Sequence, residues 1–447
     1  MRASDEDKPL RIALLAYRGN PHCGGQGVYV RYLARELVAL GHHVEVFSGP
    51  PYPELDEGIP MRKVPSLDLY RQPDPFRVPR PSELHSLTDL LELSIMATAG
   101  FPEPLTFSVR VRRQLAGRRQ EFDVVHDNQC LGWGILALLA DGWPVLATMH
   151  HPITVDRRLD LERAESVVRR LTLRRWYGFV RMQAEVARRL PRLVTVSESS
   201  CRDLSDEMGI EPSRLAVVPA GVDTARFRPL AGGVPVAGRI MTTASADVPL
   251  KGLVPLLEAV AKVRTERACH LVVVGTPRPD GRVGETIERL GLSGSVRFVS
   301  GVSDEAMVRL YQEAQVAVVP SLYEGFSLPA VEAMACGVPL VATTGGALPE
   351  VVGESGRCGL LVPPDDPGAL AEAIGRVLDD PALGARLGAA GRARALERFS
   401  WRATALSTAA QYRELLAAPR TPLGLDGAPT RRSRSWLAFS MRSRVGR

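Results

Sequence analysis

The chain has 447 residues, 45% of them hydrophobic and 24% charged, with a net charge of +6 at pH 7. That is an ordinary soluble composition, long enough for two domains with separate cores; its longest apolar candidate, 135–149, is broken by Asp141, Gly142 and Pro144, which excludes a membrane-spanning helix there. The basic excess is mostly arginine, concentrated in 157–189 and 431–447, with neither a nucleic-acid module nor a stacking platform of interleaved aromatics, so no nucleic-acid partner is expected.

Residues 1–9 read as a disordered lead, and Asp5, Glu6 and Asp7 in it as solvated charge. The lead is polar and has no signal-peptide core, and six cysteines scatter without a Cys-x-x-Cys pair. Both features point to reduced, structural cysteines and a cytoplasmic location. Leu10 to Ala16 reads as a buried strand, followed by a loop containing Gly24 and Gly25, an amphipathic helix from Val28 to Leu40, and a second strand from Val44 to Ser48. This is a Rossmann-like opening. It lacks the Gly-x-Gly-x-x-Gly spacing and the acidic residue ending the second strand that a dinucleotide site needs.

Residues 49–106 are rich in proline and read as a long irregular excursion with one helix near 82–98. It is either a functional loop or a surface decoration. Phe122 to His126 and Val145 to Thr148 read as strands that deliver Asp127 and Asn128, and His150 and His151, to their carboxyl ends. Adjacent histidines on a strand end point in opposite directions, and no third ligand stands at metal spacing, so no metal is expected. Asp127 could orient a hydroxyl or cap a loop. Leu161 to Arg189 reads as one long arginine-rich helical region, most simply a solvated face.

Pro229 to Gly238 reads as a linker. A strand from Arg239 to Ala244 then leads to Lys251 and Gly252 before a helix, Leu253 to Arg264. Strands follow at His270 to Gly275, Val296 to Gly301 and Val316 to Val319. The last of these runs into SLYEGFSLPAVEAMACGVPLVATTGGALPE, residues 321–350. Glu324 ends the strand, Gly325 to Leu328 form a loop, and Ala330 to Ala335 have helical composition, stopped at Gly337. A loop ending at a helix N-terminus favours an anion such as a phosphate, and Gly325 allows a ligand to approach the backbone. Glu324 and Glu332 stand eight residues apart, so both can face one side of the helix. A carboxylate suits a sugar, because its oxygens accept from two neighbouring hydroxyls. A capping Glu324 and a solvated Glu332 remain the alternative. Asp365 and Asp366 read as the cap of a helix at 368–378, and a last helix runs from Arg402 to Leu416. The remainder is rich in Pro, Gly, Arg and Ser and reads as disordered. Its arginines with Trp436, Leu437, Phe439 and Met441 make it a candidate for weak peripheral contact with an anionic membrane face.

The 321–350 segment, with its flanking Pro-Ser, Ala-Met-Ala, Gly-Val-Pro and Gly-Gly-Ala-Leu-Pro-Glu, resembles the signature of family 4 of the retaining glycosyltransferases. The resemblance extends over about 10–418. It implies an α/β architecture of the GT-B type, two Rossmann-like domains facing a central cleft: an acceptor-side domain at 10–220 joined by the helix at 400–418, a nucleotide-sugar domain at 221–399, and a disordered basic tail at 419–447. It implies that Glu332 holds the nucleotide ribose, that Glu324, Gly325, Phe326, Ser327 and Leu328 meet the sugar and diphosphate, and that Lys251 neutralises the diphosphate. It implies further that Gly24 and Gly25 face the donor phosphates, that backbone near Val302 lines the base pocket, and that His150 lies near the donor sugar. Three positions depart from the family pattern: Ser327 and Ala220 replace the usual glycine and asparagine, and Ser245 stands where an arginine normally assists the lysine, so that either one phosphate contact is missing or Arg18, Arg278 or Arg282 substitutes.

The reaction implied is transfer of a sugar from a nucleotide diphosphate sugar (GDP-mannose or a UDP-sugar) to an acceptor hydroxyl on a lipid, a glycan or a small molecule, with the anomeric configuration kept. No cofactor beyond this co-substrate and no metal are expected, and the location expected is cytoplasmic, with the tail as a peripheral contact. Another GT-B enzyme, such as a nucleotide-sugar epimerase or phosphorylase, and a non-catalytic nucleotide-sugar binder are the rival readings.

Overall fold

The computed structural model describes residues 8–418 apart from 21–25, 72–73, 163, 165, 231, 245–247 and 277–280. Gly24, Gly25, Ser245, Arg278 and the basic tail therefore lie outside the described residues. The chain divides into two units. The first comprises Met1–Thr195, Cys201–Val218 and Ala405–Arg447; the second comprises Val196–Ser200 and Pro219–Thr404.

The first part of the chain runs β1 (Arg11–Ala16), α1 (Gln26–Ala39), β2 (His43–Ser48), β3 (Met61–Lys63), α2 (Leu87–Ala97), α3 (Glu103–Leu115), β4 (Val124–Asn128), α4 (Trp133–Ala140), β5 (Val145–Met149), α5 (Ile153–Glu162), α6 (Val167–Trp176), α7 (Phe179–Ala187), β6 (Arg192–Thr195), α8 (Glu198–Met208) and β7 (Leu215–Val217). Its seven strands form a parallel sheet in the order β3-β2-β1-β4-β5-β6-β7. The strand order turns back between β1 and β4, which makes the ends of those strands the switch point where such sheets bind ligands. β1, β4 and β5 are buried along their length; β1 and β5 read accordingly as largely apolar runs, whereas β4 carries His126, Asp127 and Asn128 into the sheet.

The rest runs β8 (Arg239–Thr243), α9 (Leu253–Arg264), β9 (His270–Val274), α10 (Arg282–Arg289), β10 (Val296–Val299), α11 (Asp304–Gln312), β11 (Val316–Val319), α12 (Leu328–Ala335), β12 (Leu340–Thr343), α13 (Leu348–Val352), β13 (Leu360–Val362), α14 (Pro367–Asp379), α15 (Pro381–Arg398) and α16 (Trp401–Ala417). These six strands form a second parallel sheet, β10-β9-β8-β11-β12-β13, with its switch point between β8 and β11. Its core is aliphatic: Leu256, Leu257 and Val260 of α9 and Ile374 of α14 meet Val273, Val316 and Val341 of the sheet.

Three expectations are revised. The arginine-rich region is helical as read but not continuous: the end of α5 is followed by α6 and α7, because Ser166 caps α6 through the Arg169 amide and Gly178 separates α6 from α7. The 49–106 segment carries α2 within the 82–98 read for it, but it is more than an irregular excursion. It contributes the edge strand β3, and it packs Leu67, Leu69 and Tyr70 against Leu93, Met96, Phe101 and Trp176. The buried Glu92 carboxylate there is paired with Arg110 at 2.5 Å, so the excursion is tied down by charge as well as by apolar contact. Finally, β4 continues through Asn128, which places Asp127 inside the sheet and not at its rim.

Candidate functional site

In the second unit, local backbone chemistry gathers the predicted residues at the switch point. Lys251 closes a short 3-10 turn, Pro249–Lys251, and Gly252 follows with φ 63°. A Cβ on Gly252 would stand 1.9 Å from the Pro320 carbonyl oxygen, so only glycine lets this turn press against the end of β11. The Leu322 amide donates to the Leu250 carbonyl at 2.8 Å and fixes the two loops together. Lys251 Nζ consequently reaches Glu324 Oε1 at 2.8 Å, and Ser321 Oγ donates to the same oxygen at 2.6 Å. Glu324 is 9% exposed; Lys251 is more open, with 34% of its side chain exposed.

The Gly345–Ala347 loop forms the other wall of this arrangement. A Cβ at Gly346 (φ 61°) would lie 2.3 Å from the Glu324 carbonyl oxygen, and the Ala347 amide donates to that oxygen at 2.8 Å. Gly325 is half-buried, and its carbonyl accepts from Ser197 Oγ at 2.6 Å and Ser200 Oγ at 3.1 Å. Phe326 packs its ring edge-on against Phe399 at 5.7 Å, which leaves only its backbone for a ligand. Ser327 takes φ 86°, the backbone state that glycine adopts freely and serine does not. Its Oγ is buried without a hydrogen-bond partner among the described residues. Leu328 opens α12, so the amides of 325–328 lead into a helix N-terminus.

Glu332 lies one face along α12 and is half-buried. Tyr311 OH, on α11 and fully buried, donates to Glu332 Oε2 at 3.0 Å. Burial pushes the Glu332 carboxyl up to about 7, against the opposing effect of that hydrogen bond. Val302 is half-buried in the loop between β10 and α11, just before Ser303, whose Oγ caps α11. Arg282 begins α10, and Arg18 pairs with Glu103 at 3.3 Å.

In the first unit the candidates are His150 and Asp127. His150 is half-buried just beyond β5. Its Nε2 meets Asn128 Oδ1 at 2.7 Å, its backbone amide donates to Gln129 Oε1 at 2.8 Å, and its ring stands edge-on to Tyr29 at 4.4 Å. Desolvation lowers its pKa to about 4, so the ring is neutral near pH 7. An amide oxygen can only accept, so Nε2 carries the proton and Nδ1 the lone pair. Asn128, which the strand-end reading named without giving it a role, is thus a functional candidate; it stands opposite Thr148 in the β4–β5 register, two residues before His150.

Asp127 stands otherwise than expected of a group that orients an acceptor. It is fully buried, and Oδ2 accepts from the Leu131 amide at 2.7 Å. It holds a turn in which Gln129 and Leu131 both take positive φ, 59° and 50°. Its place is that of a cap. His151 pairs with Asp156 at 3.0 Å. Among the described residues no group of three or more His, Cys, Asp or Glu could hold a metal ion. No helix among them is long and apolar enough to cross a membrane.

Residues 23–226 match a family model described as Glycosyltransferase Family 4, and residues 237–380 match one described as Glycosyl transferases group 1. The chain is 56% identical over 409 residues to an MMP alpha-(1->4)-mannosyltransferase of Mycolicibacterium hassiacum, spanning 91% of this chain and 99% of that one. It is 32% identical to a D-inositol 3-phosphate glycosyltransferase of Acidothermus cellulolyticus, with 92% of each covered. Among solved structures, a sucrose-phosphate synthase from Thermosynechococcus elongatus superposes with a TM-score of 0.68 at 27% identity, covering 92% of this chain and all of that one. Anabaena Alr3699/HepE in complex with UDP and glucose superposes with a TM-score of 0.67 at 20% identity, covering 90% and 99%.

Proposed function

Because the chain is a family 4 glycosyltransferase of the GT-B fold, we propose that it moves a mannosyl group from a nucleotide diphosphate mannose to a sugar hydroxyl, with retention of the anomeric configuration. The observation that carries the reading is the Lys251–Glu324 pair beside the 325–328 amides, with Glu332 further along the same helix. A cation, a row of free amides and two carboxylates are what a sugar linked to a diphosphate and a ribose requires. The choice of mannose rests on the 56% identical relative, whose name specifies an α-(1→4)-mannosyl linkage. Nucleotide diphosphate mannose donors are α-linked, so an α-linked product is retention.

In this proposal Lys251 and the loop amides stabilise the charge that develops on the departing diphosphate. Glu332 accepts from the ribose hydroxyls, and Glu324 contacts the sugar being transferred. His150 acts as a neutral hydrogen-bonding group and not as a cation, given its lowered pKa. The acceptor for which the relative argues is a sugar bearing a free 4-hydroxyl.

Ligand-induced thermal stabilisation tests the donor site. GDP-mannose, UDP-glucose and UDP-N-acetylglucosamine are compared on the wild type and on Glu332→Ala. A shift of several degrees with GDP-mannose, lost in the variant, is expected. No shift with any nucleotide sugar would remove the donor-site assignment.

A further inference from the structure

The first unit carries an open cavity of about 730 Å³ lined by Arg157, Arg158 and Glu162 of α5, Arg170 and Arg174 of α6, and Glu207 of α8. Four guanidiniums therefore face two carboxylates. Arg158 is engaged by Glu207 at 3.4 Å, whereas Arg157, Arg170 and Arg174 form no ion pair among the described residues. Thr154 Oγ1, on the same wall, is buried without a hydrogen-bond partner among the described residues. Uncompensated like charges around one concavity repel each other, and an anion seated among them relieves that repulsion. Guanidiniums also offer forked donors that match a phosphate.

The chemistry of α6 narrows the occupant. At 100° per residue, Val167, Arg170, Leu171 and Arg174 fall within one arc of about 100°. Val167 is 73% exposed, Val168 74% and Leu171 57%, while Leu173 on the other side is buried against the unit. A face that was merely solvated would not set three large aliphatic side chains in the open within five positions. Arginines beside exposed aliphatics instead suit a surface that is anionic at the headgroup and apolar beneath it.

We propose that this cavity and the outward face of α6 form a docking site for an anionic phospholipid surface. The guanidiniums of Arg157, Arg170 and Arg174 take a headgroup phosphate, and Val167, Val168 and Leu171 enter the acyl boundary. The site uses no residue assigned to the transfer reaction. It would hold the first unit at a membrane face without a spanning helix.

The test is co-sedimentation of the full chain with vesicles of phosphatidylcholine alone and of equal parts phosphatidylcholine and phosphatidylglycerol. Wild type is compared with Arg170→Glu/Arg174→Glu and with Val167→Ser/Leu171→Ser, the basic tail being the same in all three. All four side chains substituted are exposed, and an unchanged thermal melt confirms that each variant folds. Wild type is expected to bind only the anionic vesicles, less tightly as salt is raised. The charge-reversal variant should lose roughly tenfold or more in partitioning, and the serine variant should lose binding at high salt first. Equal binding by all three chains would place any membrane contact elsewhere and overturn the proposal. So would an absence of binding by wild type, including the case in which inorganic phosphate or pyrophosphate stabilises the protein while vesicles do not retain it.

Discussion

Lys251 Nζ and Glu324 Oε1 stand 2.8 Å apart across the switch point of the second sheet, one on the turn after β8 and the other on the loop after β11. The pair is asymmetric. Glu324 is buried and takes a second hydrogen bond from Ser321, while Lys251 keeps a third of its side chain open. The lysine can therefore turn toward an incoming diphosphate without stranding the carboxylate. Lys251→Ala is expected to lower turnover by about 10²- to 10³-fold, as the loss of one preorganised charge does, while the melting temperature changes little. Steady-state kinetics with GDP-mannose checks this.

Gly252 makes that pairing possible by letting the turn touch the Pro320 carbonyl. Gly252→Ala should cost about 2 kcal/mol or more in urea unfolding, from positive φ and steric overlap together. It should also lose activity even below the unfolding transition, because Lys251 is displaced.

Glu332 has a folded pKa raised to about 7, against an ordinary value of 4.5. A raised carboxyl binds more protons folded than unfolded, so its contribution to stability is complete below about 4.5 and is lost as pH rises through about 7. Glu332→Gln removes that loss while keeping the Tyr311 hydrogen bond. The variant should melt higher than wild type at pH 8 and no higher at pH 4. Nucleotide affinity should move the other way. In wild type it should fall as pH drops below about 7, because the protonated acid accepts from fewer ribose hydroxyls, and in Glu332→Gln it should be weak at every pH. Scanning calorimetry and titration calorimetry separate the two effects.

His150 is neutral because it is desolvated beside a neutral amide, Asn128. Its NMR titration should show no midpoint near the ordinary value of about 6.5. Asn128→Asp puts a carboxylate at 2.7 Å in the amide's place and should bring the His150 midpoint up into the neutral range. At saturating donor, the rate of transfer in that variant should acquire a titration from His150 that wild type lacks near neutral pH.

Ser327 holds φ 86° with a buried, unpartnered hydroxyl. Ser327→Gly should stabilise the protein by about 1 kcal/mol, the cost of a non-glycine residue in this region less the entropy glycine loses on folding. An urea-unfolding midpoint higher than that of wild type is the expected result.

Much of this was legible because apolar runs and glycine stops report parallel strands and their exits directly. β1, β2, β8, β9 and β11 begin and end within a few residues of where Leu10, Val44, Arg239, His270 and Val316 place them. The Glu324–Glu332 segment could be read because one strand, one loop and one helix carry it. What stayed hidden depends on partners remote in sequence. Gly384, Gly388 and Gly391 obscure α15 as a helix, yet a Cβ on Gly388 would lie 2.1 Å from the Gly337 carbonyl, so the glycines serve close packing. Asp127 reads as a strand-end acid, and only the Leu131 amide shows it to be a turn cap. Asn128 matters through His150, 22 residues away.

The most direct test of the central claim is NMR observation of the products when the enzyme is given GDP-mannose and an α-(1→4)-linked mannobiose. The account predicts release of GDP together with a new α-mannosyl anomeric signal, both nearly abolished in Lys251→Ala. A β-linked product, or neither GDP nor a new linkage under conditions where GDP-mannose stabilises the fold, would contradict it.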